Sequence, residues 1–86
     1  MTRVLTIHRA IVTLSERQRY MEKLKARKAH YAAAGCSFWV FEEVGLPGAF
    51  IEFTEATEAK KLGDAHKSAL DPILDAARIY KEVELS

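Results

Sequence analysis

Apolar and polar positions alternate over residues 3–12. Val4, Thr6, His8, Ala10 and Val12 fall on one face, and Leu5, Ile7, Arg9 and Ile11 on the other. A period of two with several β-branched residues predicts a strand, and apolar side chains on both faces predict that both are at least partly covered. The period then changes. Ser15-Glu16-Arg17-Gln18 has capping-box spacing, in which the Gln18 side chain reaches back to the Ser15 amide. A helix is predicted from there to about Ala34, with Gly35 at the left-handed position after its end. Its apolar stripe is Tyr20 and Met21, Leu24 and Tyr31, with Lys28 in the gap. The small Ala26, Ala29 and residues 32–34 permit close approach to a sheet.

Residues 36–44 and 49–54 are aromatic and β-branched, and Gly45-Leu46-Pro47-Gly48 between them is a turn signal. Pairing Val44 with Ala49 sets Phe41 opposite Glu52 and Val40 opposite Phe53. Opposed residues share a face. Phe38, Val40, Ile51 and Phe53 then line one side, and Trp39, Phe41, Glu43, Phe50, Glu52 and Thr54 the other. A bulge at Gly45 or Gly48 would shift that parity. Thr57-Glu58 predicts the start of a second helix. In it Ala59, Leu62, His66, Ala69 or Leu70, and Ile73 follow a three-to-four spacing, so His66 lies on the inward stripe. Asp71 and Pro72 interrupt it, and residues 78–85 are predicted to close as a strand with Ile79, Val83 and Leu85 on one face.

The order β-α-β-β-α-β predicts one α+β domain over residues 1–86. It is the ferredoxin-like arrangement, a four-stranded antiparallel sheet with two helices on one face. Two helices cover only that face. Trp39, Phe41 and Phe50 on the other would leave several hundred Å² of apolar surface in water, so a second copy packed sheet to sheet is the expected cover. The expected assembly is a homodimer.

Composition narrows the classes. The chain has 86 residues, 49% hydrophobic and 29% charged, which excludes disordered and fibrous classes. The single Cys36 excludes an intrachain disulfide framework and a multi-cysteine zinc site, and reads as packing. The longest stretch without Asp, Glu, Lys or Arg is residues 29–41, too short for a membrane span, and Arg9 interrupts the N-terminal pattern. A cytoplasmic protein with no membrane partner is expected. The net charge is +1. It hides an asymmetry: residues 1–43 hold eight Lys and Arg against four acids, and residues 44–86 five against eight. The first helix is basic, but the Lys/Arg-Gly-aromatic signature of RNA-binding sheets is missing, and the basic residues lie away from Trp39. No nucleic-acid partner is expected.

The element order, Phe41-Glu42-Glu43 before a Pro-Gly turn, Phe50-Ile51-Glu52-Phe53, and Ala65-His66-Lys67-Ser68-Ala69-Leu70 carry a resemblance. The chain resembles the dimeric α+β-barrel superfamily, and within it the small antibiotic-biosynthesis-monooxygenase and NIPSNAP-type domains. The resemblance covers nearly the whole chain. It implies a homodimeric barrel and a helix-borne histidine near His66. It also implies a range of activities, from cofactor-independent oxygenation through haem degradation to isomerisation. The chain contains no Asn, so the Asn of the oxygenase and haem-degrading pockets has no counterpart.

The candidate site residues follow from these faces. Glu52, among aromatics on the barrel-facing side, reads as a general base or as a salt-bridged carboxylate with Arg9, His8 or Arg78 as partner. His66 reads as an acid/base, or as a core histidine hydrogen-bonded to a strand. Trp39, Phe41 and Phe50 read as stacking surfaces for a flat ligand or as dimer core, and His8 as a ligand contact. No H-x-H or H-x-x-x-H spacing occurs, so no metal is expected, and no cofactor. The functional expectation is a homodimeric barrel that binds a small apolar or aromatic molecule in a pocket between the sheet and its helices, with a cofactor-independent oxygenase or isomerase, using Glu52 or His66 as acid/base, as its catalytic form. The alternative is a non-catalytic dimerisation or accessory module with a filled barrel.

Overall fold

The computed structural model describes residues 2–70 and 73–85, the side chains of Leu74 and Asp75 excepted. Strand β1 (Val4–Ile11) runs through a tight turn at Leu14–Glu16 into helix α1 (Arg17–Ala33). Strands β2 (Ser37–Glu42) and β3 (Ala49–Ala56) form a hairpin, and helix α2 (Ala59–Lys67) follows. A short turn at Leu74–Ala77 leads to β4 (Tyr80–Lys81). The sheet order is β2-β3-β1-β4 with antiparallel neighbours throughout. This is an α+β fold with a four-stranded antiparallel sheet and two helices, compatible with the ferredoxin-like arrangement. No helix among the described residues is long and apolar enough to cross a membrane.

The end of α1 follows its sequence. Gly35 takes φ +79°, the Cys36 amide donates to the Tyr31 carbonyl (2.8 Å) and the Gly35 amide to that of Ala32 (3.0 Å). These are the two hydrogen bonds of a Schellman ending. The start differs from expectation. No side chain caps the helix; the Thr13 and Ser15 hydroxyls bond each other instead (3.2 Å), and the Glu16 amide donates to the Thr13 carbonyl. The predicted Ser15–Gln18 box is replaced by a tighter turn that begins earlier. Helix α2 likewise starts without a side-chain cap, after Glu58, and ends at Lys67. The expected interruption at Asp71 and Pro72 lies outside the described residues. The last strand spans two residues rather than eight; Ile79 packs against the core, while Val83 and Leu85 are exposed.

The hairpin register is the finding that positions the site. Val40 pairs with Glu52, Phe41 with Ile51 and Glu42 with Phe50. This is one residue from the register expected by pairing Val44 with Ala49. The reason lies in the connection. The ladder closes at Glu43, whose amide donates to Ala49 O (2.9 Å), and Val44 stands outside it. Gly48, at φ +96°, accepts from the Val12 amide (2.8 Å), and its own amide donates to a Glu42 carboxylate oxygen (2.9 Å). Because side chains alternate with a period of two, the single step moves Phe50, Glu52 and Thr54 to the helix-covered face and Ile51 and Phe53 to the open one.

Candidate functional site

The covered face is a polar layer built into an apolar core. Tyr20, Leu24 and Phe50 form one apolar cluster; Tyr31, Leu62, Ala65, Val4, Ala56 and Cys36 form the other. Between the helices and the sheet lie Glu52, Thr6, Thr54 and His66, all buried.

Glu52 is only 2% exposed. It is held from α1 by two side chains seven residues, or two helical turns, apart. Tyr20 Oη donates to one carboxylate oxygen (2.7 Å), and Arg27 Nη1 donates to both (2.7 and 2.9 Å). The Arg27 side chain is 12% exposed, so the ion pair is taken out of water almost entirely. Burial and the hydrogen bond to Glu52 push the Tyr20 phenol well above its ordinary range, so it serves as a fixed donor. Tyr20 also packs on Phe50, with ring centroids 4.8 Å apart.

Arg27 did not enter the apolar stripe read from the sequence and counted only as one of the charges that make the first helix basic. The signal was present: Tyr20, Leu24, Arg27 and Tyr31 fall at i, i+4, i+7 and i+11, one unbroken helical stripe. Of the partners expected for Glu52, His8 lies directly opposite it on β1, half-buried on the covered face. Arg9 faces the other way.

His66 is 5% exposed and sits on the inward face of α2, as expected. Tyr31 Oη lies 2.7 Å from its Nδ1 and Thr6 Oγ1 3.0 Å from its Nε2. Two hydroxyls supply one donor and one acceptor in either tautomer, which suits a neutral imidazole. Burial, aided by the charge of His30, moves its pKa down from 6.5. His30 bridges the helices, its Nε2 2.8 Å from the Ala65 carbonyl.

The sign of the linkage is definite. Between pH 6.5 and the lower folded-state pKa of His66, the unfolded chain binds the proton and the folded chain resists it. The stability held above pH 6.5 is therefore lost as pH falls through that window. Urea midpoints taken from pH 7.5 down to 5 should decline, and the decline should be shallower in His66→Gln. An equal slope in the two proteins would remove His66 from the account.

The open face has different chemistry. From β2 it carries Trp39 and Phe41, from β3 Ile51 and Phe53, and from β1 Leu5, Ile7, Arg9 and Ile11. Tyr80 adds to it from β4, opposite Leu5. Trp39 is 44% exposed and Phe41 58%, and Phe41 meets Phe53 edge to face at 5.8 Å. A groove of about 370 Å³ runs past Arg9, Ile11, Phe41 and Ile51. A second, of about 230 Å³, is lined by Ile7, Arg9, Arg78 and Tyr80.

The structure thus separates the expected site residues. Trp39 and Phe41 remain on the open face. Phe50, Glu52, His8 and His66 lie on the covered one, across the sheet from them. Phe50 is a core residue between Tyr20 and the Arg17 guanidinium, which stands 5.3 Å over its ring. Cys36 is buried, and burial pushes its thiol up from the ordinary value. Among the described residues, no three His, Cys, Asp or Glu side chains gather as a metal ion would require. Comparison with protein-family models, curated proteins and solved structures found no match to the chain.

Proposed function

We propose that the protein works as a homodimer, joined through the open faces of its two sheets, and that it binds a small apolar or aromatic molecule between them. The observation that carries this reading is the uncovered aromatic face. The exposed parts of Trp39, Phe41 and Tyr80 alone leave roughly 300 Å² of ring surface in water, already the size of the largest patch on many monomers. At ordinary strand spacing and rise the face has roughly 400 Å² of flat footprint, more once side-chain relief is counted. Two such faces reach roughly 1,000 Å², where specific interfaces begin. Such an assembly would be a dimeric α+β barrel of the kind the sequence resembles.

Binding is favoured over acid/base catalysis. Glu52 and His66, the two residues suited to that chemistry, are engaged by neighbouring side chains on the opposite side of the sheet from the shared space.

Light scattering on the purified protein should give the mass of two chains at micromolar concentration. Phe41→Glu, which sets a charge in the middle of the interface, should give the mass of one with unchanged far-UV circular dichroism. Trp39 is the sole tryptophan, so its emission should shift to the red in that variant. A monomeric wild-type protein would overturn the assembly.

A further inference from the structure

Arg9 occupies an unusual place on the open face. It stands in the β1 row, opposite Ile51, with Ile7 and Ile11 on either side along the strand. Both grooves on this face include it. It makes no hydrogen bond or ion pair with any described side chain. Of the acids around it, Glu55 is engaged with Arg3 (3.2 Å), and Glu42 with Arg17 (2.7 Å) on the covered face. Glu43, exposed at the hairpin end, lines the larger groove with Arg9 without forming an ion pair with it.

Resting on the dimer proposed above, this arrangement carries a consequence. A two-fold axis brings the same patch of both chains together, so two guanidiniums enter one enclosed aromatic space. A charge taken out of water without a partner is costly, and guanidinium is matched best by a planar two-oxygen anion. The rings of Trp39, Phe41, Phe53 and Tyr80 suit a flat hydrocarbon body.

We infer that Arg9 is the anchor of the binding space and that its ligand is a small planar aromatic carboxylate. The carboxylate pairs with the guanidinium, and the ring lies against the aromatic part of the face. No covalent step is involved.

The test uses 2-naphthoate and its neutral analogue 2-naphthalenemethanol, titrated against Trp39 emission, with light scattering on the same samples. A charge-assisted pair in a partly dried site should make the wild-type protein bind naphthoate at least about tenfold more tightly than the alcohol. Arg9→Met should abolish that preference while keeping alcohol binding, dimer mass and circular dichroism. Glu43→Gln should leave the preference intact. Equal affinities in the wild type, or a preference that survives Arg9→Met, would overturn the inference. So would equal loosening of the dimer by Arg9→Met and Glu43→Gln, because Arg9 would then be paired with Glu43 of the partner subunit. A monomeric wild type that still prefers naphthoate would sink the dimer and leave the role of Arg9 standing.

Discussion

Replacing Arg27 with Leu should destabilise the fold by about 3–5 kcal/mol, because it leaves the Glu52 carboxylate buried without its cation. In a domain of this size that is a fall of well over 10 °C in Tm, since each kcal/mol moves the midpoint by roughly 4–8 °C. The estimate rests on geometry: Glu52 is 2% exposed, and Arg27 meets both of its oxygens. Tyr20 remains as a donor in the variant, but a single neutral hydroxyl does not replace a guanidinium. The double variant Arg27→Leu/Glu52→Leu should recover most of the loss, because an apolar pair of similar volume needs no desolvation of charge. Thermal unfolding of the two single variants and the double one gives the coupling directly. A small loss in Arg27→Leu would mean that Glu52 finds another partner in the layer, His8 being the nearest in register.

The second large effect is expected at Gly48. Its φ of +96° lies where residues with a Cβ are strained. An added Cβ there would stand 2.5 Å from the Val12 carbonyl oxygen, a backbone atom that cannot swing aside. Gly48→Ala should therefore cost at least about 2 kcal/mol, the strain of a disfavoured conformation plus that clash. Gly45 is the control: a Cβ there meets nothing within 4 Å, so Gly45→Ala should change the melting temperature little. If the two variants melt together, the Gly48 turn is not what holds the hairpin connection to β1.

These two residues also mark how far the sequence was readable. Element order, the existence of one covered and one open sheet face, and the inward side of α2 could be read because hydrophobic period is a local property, but which β3 residues stand on which face could not. The Gly35 ending of α1 was legible for the same reason. The hairpin register was not. It depends on where the ladder stops before the Gly45-Leu46-Pro47-Gly48 connection, and that is decided by the Val12 amide donating to the Gly48 carbonyl and the Gly48 amide donating to the Glu42 carboxylate, with both partners of Gly48 outside the 43–48 loop. One step of register exchanged Glu52 and Phe50 for Ile51 and Phe53 on the open face. It turned an expected pocket carboxylate into half of a buried ion pair.

Arg27 was missed for a related reason. A cation in an apolar stripe reads as a break in the stripe unless its acid is known to lie opposite, and that acid sits 25 residues away on a strand. Arg9 escaped in the other direction. It was considered as a partner for Glu52, whereas the true parity puts it across the sheet among aromatic side chains.

The two margins of the sheet have a consequence for the life of the chain before it is folded. β4 is two residues long and followed by Glu82 and Glu84, so that margin offers little to a foreign strand. β2 is the opposite margin, and Cys36-Ser37-Phe38-Trp39-Val40-Phe41 is an uncharged, aromatic, β-branched run of the kind that stacks into cross-β aggregates. Glu42 and Glu43 follow it immediately and act as charged gatekeepers. The Schellman hydrogen bond from Cys36 to Tyr31 fastens the other end of the run to α1. A nascent chain that forms α1 therefore already holds its most adhesive segment by one end before β3 reaches it.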